Sequence, residues 1–271
     1  MEKDVSLKDK NSFHIGGIAK HYALVSSKEE LIEAIAFAKE SKLPVFIMGE
    51  GSNILVSDDG FKGVVIKLNF KQITDSSVGA GVPLRDLILE TKTLNLGGLE
   101  WAVGIPGTVG GAIFGNAGAF KHSISEVIEE VEFFDGKEIK IFQNSECSFN
   151  YRESIFKNNP NLIILGAKFR FKGGFDDELN RDCLNKRSVP KGYSIGSIFK
   201  NPEGYFAGRL IEECGLKGKK IGEAIISKEH ANWIINLGNA SSKDVEALIS
   251  LMKTEVKKKF NIDLVEEIRR L

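Results

Sequence analysis

Gly104-Ile105-Pro106-Gly107-Thr108-Val109-Gly110-Gly111-Ala112, with Asn116-Ala117-Gly118-Ala119 after it, is the stretch on which the reading of this chain turns. It lies in a tract, 97–118, that holds eight glycines in 22 residues and one charge, Glu100. A flexible linker would be polar and serine-rich. This tract instead carries Leu99, Trp101, Val103, Ile105, Val109 and Ile113, so it is expected to pack. Glycine lets backbone approach a ligand closely. Packing at small residues accounts for one or two such positions but not for eight, so the tract reads as a ligand-binding backbone.

A second glycine loop precedes it. The apolar run Val45-Phe46-Ile47-Met48 reads as a buried strand that feeds Gly49-Glu50-Gly51-Ser52-Asn53, with Ile54 next. Backbone N–H groups and two small polar side chains around a concavity suit phosphate oxygens; an ordinary tight turn is the alternative. The GxGxxG fingerprint fails at Ile54, and no GxxxxGK[ST] occurs. Together the two loops can hold the pyrophosphate and ring system of one large dinucleotide.

The rest of the chain bounds this reading. Its 271 residues allow one large domain or two modest ones at roughly 100–200 residues each. With 42% hydrophobic and 27% charged residues it can bury a core, which excludes disorder as the main state. Lys+Arg and Asp+Glu both number 37, so no global basic field draws it to nucleic acid. Cys147, Cys183 and Cys214 form no CxxC pair or cluster with the four histidines, so neither a metal site nor a disulfide framework is expected. The charged start MEKDVSLKDKNSF is no signal peptide, and no apolar run reaches the ~18 residues of a spanning helix. A soluble, cytoplasmic monomer without membrane or nucleic-acid partners is expected.

Periodicity supplies the outline. Ser27 and Glu30 match a capping box before a helix to about 41, with Leu31, Ile32, Ile35 and Ala38 at helical spacing. Strands over 45–48, 54–56 and 64–68 complete a compact βαββ unit. A helix over 83–95 starts at Pro83, and strands over 127–134, 138–142 and 162–171 continue the unit as mixed sheet. The polar stretch 172–178 marks a domain boundary. Beyond it come a helix near 207–214, strands at 224–226 and 233–235, and a longer helix capped by Ser241 and Asp244. Val245, Leu248, Ile249, Met252, Val256 and Phe260 form its apolar stripe, and Lys257-Lys258-Lys259 its last turn.

Eight collinear segments then carry a resemblance: Asn11-Ser12-Phe13-His14-Ile15-Gly16-Gly17; Gly49 to Val56; Gly104 to Ala112; Tyr151-Arg152-Glu153-Ser154; Gly196-Ser197-Ile198-Phe199-Lys200-Asn201-Pro202; Ala207-Gly208-Arg209-Leu210-Ile211; Gly215-Leu216-Lys217-Gly218; and His230-Ala231-Asn232-Trp233. Over about 11–269 the chain resembles the UDP-N-acetylenolpyruvoylglucosamine reductases, in their shorter form without a tyrosine-bearing insertion. The resemblance implies an α+β chain. It consists of a vanillyl-alcohol-oxidase-like, two-subdomain FAD-binding domain over 1–176 (about 1–69 and 70–176) and a substrate-binding α+β domain over 177–271, whose final strand returns to the active site. It also implies non-covalent FAD, NADPH as co-substrate, and a UDP-sugar nucleotide carrying an enolpyruvyl ether as substrate.

The resemblance assigns roles residue by residue. The flavin is expected on Gly49, Glu50, Gly51, Ser52, Asn53, Ile54, Gly104, Ile105, Pro106, Gly107, Thr108, Gly110, Gly111, Ala112, Asn116 and Gly118. Arg152 matches the arginine that stabilises the developing enolate, Ser197 the proton donor, and Glu267 the final active-site glutamate. Tyr151, Lys200 and Asn201 are expected on the sugar nucleotide, and His14 and His230 in structural roles. Val265 and Glu266 depart from the family pattern, which leaves Glu266 open as a substitute for Glu267. Ile195 departs as well, and is expected to reshape the wall beside Ser197. Another flavoprotein of the same fold acting on a hydroxy acid or alcohol, and a non-catalytic sugar-nucleotide-binding module, are the alternatives in function.

Overall fold

Ser27 opens the first helix, Lys28–Glu40: its side-chain oxygen accepts the amide of Glu30 at 3.1 Å. The Glu30 carboxylate reaches back one residue further than a capping box requires, to the amide of Ser26 at 2.7 Å. Leu31, Ala34 and Ala38 are buried, whereas Ile32 faces solvent. The computed structural model describes residues 1–74 and 77–271. These fall into two units. The first comprises Met1, Tyr22–Glu50 and Val64–Arg187; the second comprises Glu2–His21, Gly51–Gly63 and Ser188–Leu271. The chain passes between them after Met1, inside the strand Ile18–Val25, between Glu50 and Gly51, inside the strand Phe61–Leu68, and again after Arg187.

In the first unit Val45–Met48 pairs in parallel with the second half of Phe61–Leu68, Val45 opposite Val64 and Met48 opposite Lys67. Val64, Val65 and Ile66 are fully buried, which is why that run reads as continuous apolar sequence. The strands Ile128–Phe134, Ile139–Gln143, Ile163–Phe169 and Val78–Gly79 form a separate sheet whose pairs are all antiparallel. The expected mixed sheet is thus wrong for these strands. Ile128–Phe134 and Ile139–Gln143 follow each other through a short turn, and such connections join antiparallel neighbours. Beneath this sheet the Phe133 ring packs against Phe142 and Phe156, with centroids 4.4 and 5.6 Å away. The helix Leu84–Thr93 buries Leu84, Leu87, Ile88 and Thr91, the spacing of one helical face. Past the polar stretch at 172–178 stands the helix Asp177–Lys186. Its cap Asp176 accepts the amides of Glu178 and Leu179, and this helix is part of the first unit.

The second unit is organised by the helix Ser242–Phe260. Ser241 and Asp244 close the expected capping box, and Val245, Leu248, Ile249, Met252 and Val256 are buried along one stripe. Asp58 adds a carboxylate at the same helix end, accepting the amide and hydroxyl of Ser242 at 2.8 and 2.9 Å. Against this helix lies a meander of Lys220–Ile221, Ala224–Ile226 and Ile234–Asn236. Ile195, two residues before Ser197, is buried in this core with Ile198 and Phe199. Among the described residues no helix is long and apolar enough to cross a membrane, and no group of acidic, histidine and cysteine side chains could hold a metal.

Asn236 ties the N-terminal segment to this unit. Its Nδ2 donates to the carbonyls of Phe13 (2.9 Å) and His14 (3.4 Å), while its Oδ1 accepts from Gly238 and Ala240 at 2.8 and 2.9 Å. The residue is 2% exposed, so removing the amide strands several buried groups at once. Asn236→Ala is expected to cost about 1–3 kcal/mol, read as a lower urea midpoint at an unchanged slope.

Candidate functional site

The two glycine loops take shape from contacts within each unit. In the first unit Gly49 ends the strand Val45–Met48 against Thr108, where a Cβ would come within 2.6 Å of the threonine hydroxyl. In the second unit Gly51 has φ +68, and a Cβ there would lie 2.7 Å from that of Asn11. Asn11 is itself fixed, donating to Leu7 and Ile15 and accepting from Phe13. The glycines of this loop therefore first make room for protein.

The tract 97–118 obeys the same rule in part. Gly104 (φ +77) and Gly107 (φ +112) adopt left-handed backbone, and Gly110 abuts Ala80. The segment after Thr108 is not an extended loop but the short helix Val109–Phe114, whose Gly111 amide the Thr108 hydroxyl accepts at 3.3 Å. Small residues let this helix pack closely, a role the sequence reading assigned to too few of the eight. Gly111 differs: a Cβ there would meet nothing tighter than 3.5 Å. Asn116 is buried and spends its side chain on the protein, donating to Asn150 and accepting from Ser125.

A donor set for an anionic cofactor nonetheless stands in the first unit. It comprises the Thr108 hydroxyl and the Arg187 guanidinium, whose Nε is buried without an acceptor, while the bare Cα of Gly111 leaves room for close approach. Guanidinium and hydroxyl are groups that diphosphates take as partners, so the residues present fit a flavin dinucleotide.

Arg152 belongs to this unit too. Asn150 and Glu153 bond to each other across a tight turn whose inner residues are Tyr151 and Arg152, the latter with φ +56. The Arg152 guanidinium donates to the carbonyls of Gly118 (2.5 Å) and Asn116 (3.5 Å) and lies 5.1 Å from the Tyr151 ring centroid. A Cβ on Gly118 would stand 3.1 Å from Arg152 Nη1, so the glycine admits the arginine. Ser154 anchors the turn from below, its hydroxyl donating to Phe114 at 2.7 Å.

In the second unit Ser197, half-buried, follows the left-handed Gly196 and bridges to Trp233. One buried side chain sets the strand that carries it: Asn232 accepts the Phe199 amide at 3.0 Å and donates to the Phe199 carbonyl at 2.8 Å. Sequence reasoning placed Asn232 within a matched motif but gave it no role, although a polar residue between Ala231 and Trp233 was the available signal. Burial holds the His230 imidazole below its usual pKa, so it is neutral near pH 7. Its Nδ1 accepts the Asn232 amide, the structural role expected of it. Asn201 Oδ1 accepts the Ala207 amide at the start of the helix Ala207–Glu213, so part of this expected substrate ligand serves the fold.

The C-terminal segment runs alongside Ser197. Lys200 donates to Val265 and Glu267 to Ile198 through their backbones, and Asn53 Nδ2 reaches the Glu267 carbonyl at 3.3 Å. Glu266 points elsewhere, into ion pairs with Lys253 at 2.5 Å and Arg270 at 3.0 Å. Burial raises its pKa, but hydrogen bonds from Lys253 and Arg270 outweigh it and hold the carboxyl below its usual range.

A carboxylate so engaged is a poor partner for proton transfer. Glu266→Gln is expected to keep turnover near wild type and lose less than about 2 kcal/mol of stability. Because the folded pKa is depressed, Glu266 stabilises above the ordinary carboxylate range, and that stability fades as pH falls through the folded value. The variant should therefore show a flatter acid limb in thermal unfolding. Glu267→Gln should instead cut turnover; an inactive Glu266→Gln beside an active Glu267→Gln exchanges the two assignments.

Comparison with known proteins bears on these units. Residues 188–271 match the family described as "UDP-N-acetylenolpyruvoylglucosamine reductase, C-terminal domain", the same residues that form the last part of the second unit, and 19–139 match "FAD binding domain". The UDP-N-acetylenolpyruvoylglucosamine reductase of Clostridium botulinum (strain Eklund 17B / Type B) is 39% identical over 99% of this chain and 92% of its own length. That of Caldanaerobacter subterraneus subsp. tengcongensis is 42% identical over 97% and 91%. The crystal structure of the reductase from Thermus caldophilus superposes with a TM-score of 0.87 at 36% identity, covering 99% of this chain and 98% of that one. With identity at this level along nearly its whole length, the chain belongs to the UDP-N-acetylenolpyruvoylglucosamine reductase family, built from an FAD-binding domain and the family's C-terminal domain.

Proposed function

We propose that this chain reduces the enolpyruvyl ether of UDP-N-acetylglucosamine to the lactyl ether of UDP-N-acetylmuramate, with NADPH as electron donor and FAD as carrier. In this reading it is a cytoplasmic monomer of peptidoglycan precursor synthesis. The FAD-binding part covers 1–176 and the substrate-binding part 177–271. FAD, held by the residues of the glycine tract, would supply the two-electron chemistry between NADPH and the substrate's enolpyruvyl group.

The residues of this chain handle the charge and the proton. Hydride addition at the terminal carbon drives the double-bond electrons onto the neighbouring carbon and into its carboxylate. A fixed cation stabilises that charge because it needs no reorganisation when the charge appears. Arg152 is suited to this: a guanidinium stays protonated and grips a carboxylate through two parallel bonds. The observation that carries the reading is that its side chain is already tied to two backbone carbonyls on a left-handed turn. Ser197 then gives its hydroxyl proton to the charged carbon, completing the lactyl ether, with Glu267 orienting this proton transfer. Tyr151, Lys200 and Asn201 bind the sugar nucleotide, and Lys200 lies three residues beyond Ser197 in a segment that bridges to Trp233 and Glu266.

Anaerobic stopped-flow separates the two halves. Ser197→Ala should leave flavin bleaching by NADPH within about twofold of wild type and slow reoxidation by the enolpyruvyl substrate by about 10²–10⁴-fold. Equal loss of both halves contradicts the serine's role, and a wild-type protein that is colourless contradicts the flavin reading altogether.

A further inference from the structure

Arg187 closes the helix Asp177–Lys186 and turns back onto the glycine tract of the first unit. Its Nη2 donates to the Trp101 carbonyl at 3.0 Å. A Cβ on Gly104 would stand 2.9 Å from its Cδ and 3.3 Å from its Nε, so Gly104 has no side chain where Arg187 lies. The guanidinium carbon sits 5.3 Å from the centre of the Phe120 ring. Phe120 and Lys121 form the two-residue tip of a hairpin between Gly118–Ala119 and His122–Ser123, both with left-handed backbone (φ +53 and +70). Such a tip normally takes glycine or asparagine. The hairpin therefore holds two bulky residues in a costly conformation, one of them beneath this arginine.

Two features of Arg187 are not explained by packing. Its Nε is the one buried side-chain nitrogen or oxygen without a hydrogen-bond partner among the described residues. Native structures leave few such groups. The guanidinium also forms no ion pair with a carboxylate among the described residues, although burial already disfavours its charge. Meanwhile the tract 97–118 has no cation of its own. Its one charged residue, Glu100, is engaged by the amides of Gly98 and Asp176.

We propose that Arg187 is a cofactor-binding residue of this protein, supplying to the diphosphate of the bound flavin dinucleotide the positive charge that the glycine tract lacks. The inference rests on the reading of Gly104–Ala112 as the flavin loop. An unpaired guanidinium pressed onto the first glycine of that loop is what a dianionic group requires, and a planar fork matches phosphate oxygens as an ammonium does not.

The test is FAD release from the purified holoenzyme, followed as the gain in flavin fluorescence on dilution at low and high salt. Arg187→Met should release FAD about 10–100-fold faster, the range of one charge-assisted contact, and Arg187→Lys should fall between, because it keeps the charge without the fork. Added salt should speed release from wild type more than from Arg187→Met. Arg187→Gln serves in place of Arg187→Met if circular dichroism shows the latter unfolded. Release at the wild-type rate overturns the proposal. So does equal loss in the methionine and lysine variants with an unchanged salt response, since that marks packing alone. A raised KM for NADPH with unaltered FAD release would move the arginine to the other dinucleotide and also overturns it. A wild type that carries no flavin would instead overturn the reading of the loop.

Discussion

The residues from Val265 to Leu271 are held by backbone bonds to two remote parts of the second unit, and the geometry of Ser197 and Glu267 depends on that. On one side Lys200 donates to Val265 and Glu267 to Ile198; on the other Arg269 donates to Asn53 and Leu271 to Leu55, with Ser57 returning a bond to Leu271. Ile54 and Leu55 run parallel to Arg269 and Arg270. A parallel pairing so far apart in sequence has no local turn to set its register. Here the register is set by buried side chains, Leu264 and Ile268, which face the core on either side of the glutamates. Shifting the segment by one residue would exchange its faces, turning Glu267 inward and Ile268 out.

Asparagines do in this unit what regular sheet does elsewhere. Asn11 holds the loop at 7–15, Asn232 brackets Phe199, and Asn236 joins Phe13 to the turn at 238–240. A primary amide both donates and accepts, so one side chain can satisfy a backbone N–H and a backbone C=O together. Irregular backbone can then be buried without orphaned groups. The eight-segment resemblance contains Asn11 and Asn232 but not Asn236, so part of what looks like a catalytic signature is scaffold. The first unit relies more on glycine and on alternating apolar strands, and its buried thiols follow suit: burial pushes the Cys147 thiol up to about 12, which leaves it protonated and inert.

Arg152 and Arg187 show two uses of the same side chain. Arg152 is anchored by carbonyls on a strained turn, which fixes a charge in space before any substrate arrives. Arg187 has one carbonyl and one ring for partners, and a buried N–H left over. Both lean on the segment 116–120, Arg152 at the base of the hairpin and Arg187 at its tip. That shared support gives a physical reason for left-handed backbone at Asn116, Phe120 and Lys121, where glycine would be easier.

Elements whose cause is local were legible in the amino acids alone. The capped helices after Ser27 and Ser241, the strand into Gly49 and the apolar stripe from Val245 to Val256 follow from side-chain periodicity, caps and short-range pattern, and the eight motifs were legible as a resemblance to the family. The strands Glu2–Ser6 and Ile18–Val25 and the helix Val109–Phe114 were not, because their stability comes from partners elsewhere in the chain; in the second sheet the longer strands were legible but their antiparallel order was not. The same holds within the candidate site. Composition marked Gly104 as unusual, but only the fold revealed that the arginine filling its missing Cβ comes from residue 187. Likewise, two adjacent glutamates are alike in sequence; only the fold brings Lys253 and Arg270 alongside Glu266 to pair with its carboxylate.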